Sequence, residues 1–174
     1  MGNYFKKQSN MEKPSVTIEL APYLHDYLYH EFGCRKEGGV MVATTNDLGK
    51  MIQAMVTIKD RPPRLPLKEN PITLYLPTQE WNHFILNENF LYIPEWKQRM
   101  LQDYIEASFR LRIREYFVAG YEKGFKQDKI IKAFLMAYNI KNNAINYDAI
   151  KKYDYRNRKK MIKEVNKEIQ LSLF

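Results

Sequence analysis

The sequence predicts an α+β protein in which a small β-α-β-α module is followed by a basic, all-helical region. Short stretches near residues 16 and 72 alternate apolar and polar side chains, which is typical of half-buried strands. From residue 95 onward, apolar residues recur at three- and four-residue spacing, which favours helices. Residues 1–109 carry 12 basic and 13 acidic side chains, whereas residues 110–174 carry 16 and 7, so the net charge of +8 lies in the second part. Such an asymmetry indicates a near-neutral module joined to a region that meets a polyanion, most often nucleic acid.

The first predicted elements are a strand and a helix. Residues 1–15 are polar and unpatterned, and we expect them to form a flexible arm. Residues 16–20 alternate in the two-residue period of a strand. Pro22 suits the first turn of the following helix, and Gly33 ends it. The apolar residues of this helix are Tyr23, Leu24, Tyr27, Leu28 and Phe32.

A second strand and helix follow. Residues 40–43 predict a short strand, and Thr45 or Asn46 can cap the next helix. Its apolar residues are Leu48, Met51, Ile52, Met55 and Val56. Residues 59–71 contain four prolines and cannot be helical, so they predict a stiff connector or a loop that covers a sheet edge.

The same order of elements recurs after the prolines. Residues 72–76 resemble the first strand, residues 80–86 predict an aromatic-rich helix capped by Thr78, and residues 90–93 take the place of the second strand. This indicates a duplicated β-α-β-α unit. The two copies are residues 16–57 and 72–109 of a module that spans residues 16–109. Strands this short need one small sheet covered by helices, or strand pairing across a homodimer.

Three helices account for the remainder. The first begins after Pro94 and ends near Gly120 or Gly124. The second covers residues 127–138, and a polar turn separates it from the third, which runs from 147 to about 165. The apolar residues of the second helix are Ile130, Ile131, Phe134 and Leu135.

The last two helices look like a helix-turn-helix, in which the second helix lies in the major groove of DNA. This region spans residues 110–165, and Ala149, Ile150 and Tyr153 are expected to pack inward. Arginine can donate two hydrogen bonds to the edge of guanine, while lysine and tyrosine bind phosphates. The candidate DNA contacts are Lys151, Lys152, Tyr155, Arg156, Arg158, Lys159 and Lys160. The alternative is a solvated basic helix that ends a helical bundle, and RNA is less favoured because no Gly-aromatic signature of single-strand-binding sheets is present.

The chain ends in Gln170, Leu171, Ser172, Leu173 and Phe174, within a tail of residues 166–174. All five residues match the pentapeptide by which bacterial DNA polymerases, repair proteins and clamp loaders bind the sliding clamp. This resemblance covers residues 170–174 only. It implies that the last two side chains anchor in an apolar pocket, that the first leucine fills a neighbouring subsite and that the glutamine hydrogen-bonds at the rim. The charged stretch before it, residues 160–168, is expected to be mobile. The alternative is that the apolar end folds back on the protein's own core.

The sequence predicts no catalytic site, no cofactor and no metal site. It contains no phosphate-binding Gly loop, nucleophile elbow, EF-hand loop or His-Glu-x-x-His helix. His25 and His30 lie on different faces of a helix. One cysteine, Cys34, excludes an internal disulfide and favours the cytoplasm, and no stretch has the pattern of a signal peptide or a membrane span. A small metal-dependent nuclease is the enzymatic alternative.

Together these features predict a non-enzymatic DNA-binding accessory protein tethered to the bacterial sliding clamp, the β subunit of DNA polymerase III. The expected partners are that clamp and double-stranded DNA, at the nucleoid of a bacterial host cell. Small size and a composition rich in Lys, Tyr and Asn resemble proteins of phages and mobile elements. The tethering is similar in logic to that of the clamp-tethered late-transcription coactivators of tailed phages, so replication or clamp-dependent transcription is the expected setting.

Overall fold

Two small sheets and five helices make up the part of the chain that the computed structural model describes, residues 14–33, 38–61, 69–78 and 89–172. The strands are β1 (Ser15–Glu19), β2 (Val40–Met41), β3 (Thr57–Lys59), β4 (Pro71–Tyr75) and β5 (Phe90–Tyr92). The helices are α1 (Pro22–Phe32), α2 (Asp47–Met55), α3 (Glu95–Glu122), α4 (Gln127–Ala137) and α5 (Ala144–Ser172). The predicted α+β class is confirmed.

The larger sheet has the order β1-β4-β2, with β1 antiparallel and β2 parallel to the central strand. Val16 and Ile18 lie opposite Leu74 and Ile72, and all four side chains are buried, as the alternating pattern predicts. The main-chain amide of Leu76 donates to the carbonyl oxygen of Pro14, so the ordered sheet begins before residue 16. Pro14 and Ser15, which were expected to belong to a flexible arm at residues 1–15, are therefore part of the fold. Residues 1–13 lie outside the described residues.

The smaller sheet pairs β3 with β5 in antiparallel register. The sequence analysis missed β3, because its three residues directly follow a helix and show too little alternation to be recognised. Within the proposed duplication, β1 and β4 pair with each other, whereas β2 joins the larger sheet and β5 the smaller one. The duplication stays a prediction, and the helix expected at residues 80–86 and most of the proline-rich segment lie outside the described residues.

The ends of α1 and α2 agree with their predicted caps. Helix α1 begins at Pro22, and Gly33 follows it with a φ of 77°, a conformation that favours glycine. Asn46 caps α2, because its Oδ1 accepts a hydrogen bond from the main-chain amide of Gly49 at 2.7 Å.

Helix α3 connects the N-terminal module to the basic region. Its 28 residues run without a break across positions 109 and 110, where the sequence changes from near-neutral to basic. The buried side chains of α3 recur every four residues along one face: Leu101, Ile105, Phe109, Ile113 and Phe117. The change in charge therefore does not coincide with a break in the backbone or in the core.

An aromatic cluster joins α1, α3 and α4 around Phe109. The Phe109 ring lies 5.3 Å from Tyr23, 5.3 Å from Tyr27 and 5.6 Å from Phe134, measured between centroids. Tyr138 packs 4.6 Å from Phe134 and 5.9 Å from Tyr27. Burial raises the pKa of Tyr27 to about 12. These contacts give the module and the helical region a shared core.

Replacing Phe109 with alanine is expected to lower the free energy of unfolding by about 3–5 kcal/mol, because the cavity opens where three helices meet. The matched control is Phe125→Ala, since half of the Phe125 surface is exposed and its loss leaves no enclosed cavity. Urea titrations of both variants measure the difference. Equal stability of the two variants would contradict the role given to the aromatic cluster.

Candidate nucleic-acid interface

The turn between α4 and α5 forms without a glycine. Asn139 adopts a φ of 53°, in the left-handed region that usually requires glycine but that asparagine tolerates. The main-chain amide of Asn139 donates to Met136, and that of Ile140 donates to Leu135 at 2.8 Å. Both Ile140 and Leu135 are buried, which completes a Schellman motif at the end of α4. The polar turn predicted between the two helices is therefore confirmed.

Helix α5 begins three residues earlier than predicted. Asn143 caps it by accepting a hydrogen bond from the main-chain amide of Asn146 at 2.8 Å. The buried Asn146 side chain donates to the carbonyl oxygen of Lys141 at 2.8 Å. The main-chain amide of Lys141 donates to Asp26 of α1, which ties this turn to the N-terminal module.

Helix α5 also ends later than predicted, at Ser172 instead of near residue 165. Met161 is buried, and Glu164 accepts a hydrogen bond from Arg114 of α3 at 2.6 Å. These contacts hold part of the stretch 160–168 that was expected to be mobile, and the helix runs to Ser172. Most of the tail assigned to residues 166–174 is a continuation of α5.

A buried carboxylate anchors the middle of α5. Asp154 is fully buried, and its Oδ2 accepts hydrogen bonds from the Tyr121 hydroxyl at 2.8 Å and the Gln127 amide at 2.5 Å. The same oxygen accepts from the guanidinium of Arg158, which also lies 5.2 Å from the centroid of the Tyr121 ring. Burial and the bond to Asp154 raise the pKa of Tyr121. The Arg158 guanidinium therefore binds a buried carboxylate while 40% of the side chain stays exposed, and the other predicted DNA contacts are exposed.

Sequence analysis missed Asp154 as a structural residue. The available signal was its position four residues before Arg158, the spacing at which an acid and a base meet on a helix. The sequence does not show that Tyr121 and Gln127 converge on the same carboxylate, because they belong to other elements of the chain.

A line of exposed cations follows the solvent face of α5, and we call it the basic stripe. Its members are Lys152, Arg156, Lys159, Lys163 and Lys167. They recur every three or four residues, so they occupy one helix face about 22 Å long. Two acidic residues fall within this range of sequence, but Asp154 is buried and Glu164 is bound by Arg114. The positive charge of the basic stripe is therefore largely free to attract a polyanion.

The basic stripe includes three of the seven predicted DNA contacts, Lys152, Arg156 and Lys159. Tyr155 lies beside it and is 84% exposed. Lys151 and Lys160 are exposed at its flanks: the Lys151 ammonium lies 6.0 Å from the Tyr147 ring, and Lys160 lies 4.0 Å from Glu164. Of the residues expected to pack inward, Ile150 is buried and Ala149 and Tyr153 are half-buried. The predicted DNA contacts omit two members. Lys163 lies within the predicted helix, and the place of Lys167 in the line requires a helix that continues beyond residue 165.

A cleft of about 410 Å³ opens beside the basic stripe, between α5 and the helices α1 and α3. Lys152 and Arg156 border it, and Arg110 of α3 adds a third cation. Phe109 and Ile113 supply apolar surface. Glu106 also lines the cleft and accepts a hydrogen bond from Arg110, so the net positive charge of the cleft comes from Lys152 and Arg156. Positive charge beside apolar surface suits the sugar-phosphate backbone of a nucleic acid.

The start of the C-terminal pentapeptide lies at the end of α5. Gln170 and Leu171 are exposed, Leu171 to 71%, and Ser172 is the last helical residue. Leu171 therefore does not pack on the protein's own core, whereas the alternative of an apolar end that folds back would require it to. Leu173 and Phe174 lie outside the described residues.

The histidines in the described ranges have ordinary structural neighbours. His25 Nε2 lies 3.2 Å from the Asn70 carbonyl oxygen, and the His30 ring packs 4.7 Å from that of Tyr138. Cys34 and His83 lie outside those ranges. Within them, no three His, Cys, Asp or Glu residues lie close enough together to hold a metal ion. None of the helices in the described part of the chain is both long and apolar enough to cross a membrane.

Comparison with protein-family models, with curated proteins and with solved structures finds no match for this chain. The geometry and charge of α5 and the C-terminal residues are therefore the features that bear on function.

Two arginines of α5 that differ in their surroundings are expected to differ in their effect on stability. Arg158→Ala leaves the buried carboxylate of Asp154 without its cation and should lower the free energy of unfolding by about 2–4 kcal/mol. Arg156→Ala, two residues away on the exposed face, should change it by less than about 0.5 kcal/mol. Thermal and urea unfolding of the two variants test this difference. A similar loss in both variants would mean that Asp154 does not anchor α5.

Proposed function

We propose that the protein is a non-enzymatic DNA-binding accessory protein that docks on the bacterial sliding clamp through its C-terminal Gln-Leu-Ser-Leu-Phe. The observation that carries this proposal is the basic stripe on the solvent face of α5, which leads to the exposed Gln170 and Leu171. One helix thus bears both a surface for a polyanion and the start of a clamp-binding peptide.

The dimensions of the basic stripe suit duplex DNA. An α-helix with its side chains is about 10–12 Å wide, and the major groove is about 12 Å wide. The members of the basic stripe that lie deepest in the groove would approach base edges, and the flanking lysines would contact phosphates. Lys151 and Lys160 occupy those flanks on opposite sides of the helix.

Helix α5 is held in place by contacts with the rest of the protein, so it does not need to fold when it binds DNA. Asp154 binds Tyr121 of α3 and Gln127 of α4, Glu164 binds Arg114 of α3, and Met161 is buried, so these contacts span eleven residues of the inner face. Because the helix is held in place before DNA arrives, little conformational entropy is lost on binding.

The clamp-binding part of the proposal rests on the pentapeptide and on its accessibility. The last four carbonyl groups of a helix have no partner within that helix, so its final turn uncoils at low cost when a partner offers better contacts. Joining a clamp-binding peptide to a DNA-binding helix raises the local concentration of each site for its ligand. Such a protein would accumulate on DNA where clamps are loaded, in replication or clamp-dependent transcription of a phage or mobile element in the bacterial cytoplasm.

Replacing Lys159, Lys163 and Lys167 with glutamine is expected to weaken DNA binding and to flatten its dependence on salt. If each lysine neutralises one phosphate, the slope of log K against log salt falls by about 0.9 per residue. Fluorescence anisotropy with a duplex at several salt concentrations measures this slope. The matched control replaces Lys50, Arg61 and Arg99, three exposed cations that belong to other elements of the chain, with glutamine. If both triple variants bind alike, the basic stripe is not the DNA surface.

Deleting Leu173 and Phe174 is expected to abolish binding to a purified bacterial sliding clamp and to leave duplex affinity unchanged, because the two apolar anchors lie beyond the basic stripe. Surface plasmon resonance with immobilised clamp measures the first effect. The Lys167→Gln variant, altered just before the pentapeptide, serves as the control that retains clamp binding. Unchanged clamp affinity after the deletion contradicts the clamp tether.

A separate measurement tests the nuclease alternative. Metal-dependent cleavage of DNA by the intact protein would favour it.

A further inference from the structure

Helix α3 carries a second surface that the proposed function does not use, and we call it the apolar stripe. Its members are Trp96, Met100, Tyr104, Ala107 and Leu111. The four large side chains are 62%, 50%, 38% and 50% exposed in the order of the chain. They recur at three- and four-residue spacing, so they form one continuous line along the helix.

The apolar stripe lies on the face of α3 opposite to its buried face. The buried face, which includes Leu101, Ile105 and Phe109, already packs on the protein's own core. A helix that is apolar on two opposite faces is typical of one that is packed on both sides. Isolated exposed apolar residues need no explanation, but a contiguous line on a single face marks a contact surface.

We propose that the apolar stripe binds the same stripe of a second copy of this chain, with the two α3 helices antiparallel. A two-fold axis near residues 105 and 106 places Met100 against the partner's Leu111. It also places Tyr104, the bulkiest residue near the axis, against the partner's Ala107, the smallest. Alternation of large and small side chains at three- and four-residue spacing is the packing arrangement of two-stranded helical seams.

Charges beside the apolar stripe match this antiparallel arrangement. Asp103 and Arg110 border the same side of the stripe, in a groove that also includes Ala107, Leu111 and Tyr153. In the antiparallel pair, Asp103 meets the partner's Arg110, and the two-fold axis repeats the contact. Asp103 forms no ion pair with any described residue of its own chain. Arg110 already pairs with Glu106, which lines the same groove and also accepts a hydrogen bond from Tyr23. The second copy would thus neutralise Asp103 and give Arg110 a second carboxylate partner.

The area of the apolar stripe determines how strong the association can be. Its four large side chains expose on the order of 400 Å² per chain, so pairing would remove about 800 Å² of apolar surface from water. With the polar border included, the total approaches about 1,200 Å², the lower limit for specific interfaces. We therefore expect a reversible dimer with a dissociation constant in the micromolar range. A two-fold pair would present two basic stripes and would suit DNA sites with two half-sites.

The experiment is sedimentation velocity of the full chain across the micromolar range, without DNA or clamp. The mass should rise from 20.9 kDa toward twice that value as concentration increases. Leu111→Glu should keep the chain monomeric at every concentration. A chain that stays monomeric without any substitution overturns the proposal.

Charge reversal distinguishes this interface from any other. Asp103→Arg and Arg110→Asp should each abolish the dimer, because like charges then meet twice across the axis. An equimolar mixture of the two single variants should form a heterodimer, since every contact becomes attractive again, and the double variant should form a homodimer. Lys126→Asp, an equal charge reversal at an exposed position before α4, should leave dimerisation unchanged.

Circular dichroism spectra and melting temperatures verify that each single variant is folded. If the single variants remain dimeric, or if neither the mixture nor the double variant restores association, the antiparallel α3 interface is wrong. These measurements contain no DNA, so their failure is distinct from failure of the proposed DNA binding.

Discussion

The packing of Phe109 in the middle of α3 is the contact on which the rest of the structure depends. Its ring contacts two tyrosines of α1 on one side and Phe134 of α4 on the other. Because these helices share one core, the near-neutral N-terminal module and the basic C-terminal region are parts of the same packed structure. The charge asymmetry of the chain is therefore a property of its surface. The hydrophobic core continues without interruption across the position in the chain where the charge changes.

Burial, more than composition, determines which charges of α5 face the solvent. Asp154 is buried in the core, where it accepts a hydrogen bond from Arg158, and Glu164 accepts a hydrogen bond from Arg114. A carboxylate can be buried in this way only because several donors converge on it. Because Asp154 lies on the inner face and Glu164 is bound by Arg114, the outer face has five cations and little opposing charge. The buried Asp154 thus anchors the helix that carries the basic stripe.

The two stripes lie on different helices that are held together by the same contacts. The apolar stripe belongs to α3 and the basic stripe to α5, and the Arg114–Glu164 and Tyr121–Asp154 contacts join the two helices. Any partner that fixes the orientation of α3 therefore also orients the cations of α5. This coupling would relate self-association to the geometry of DNA binding in the proposed function.

The sequence by itself determined the features that depend on local periodicity and local caps. The first strand, predicted at residues 16–20 and found at Ser15–Glu19, the Asn46 cap and the four buried residues of α4 were predictable, because each depends on neighbours a few positions away. The pentapeptide was likewise recognisable in the sequence alone, although its binding to the sliding clamp stays a prediction. Only the tertiary structure decided the strand order, the full length of α5 and the binding of Arg158 to a buried carboxylate. These features depend on partners far apart in the chain, such as Tyr121 with Asp154 or Arg114 with Glu164, and the burial of a charge depends on what folding brings around it.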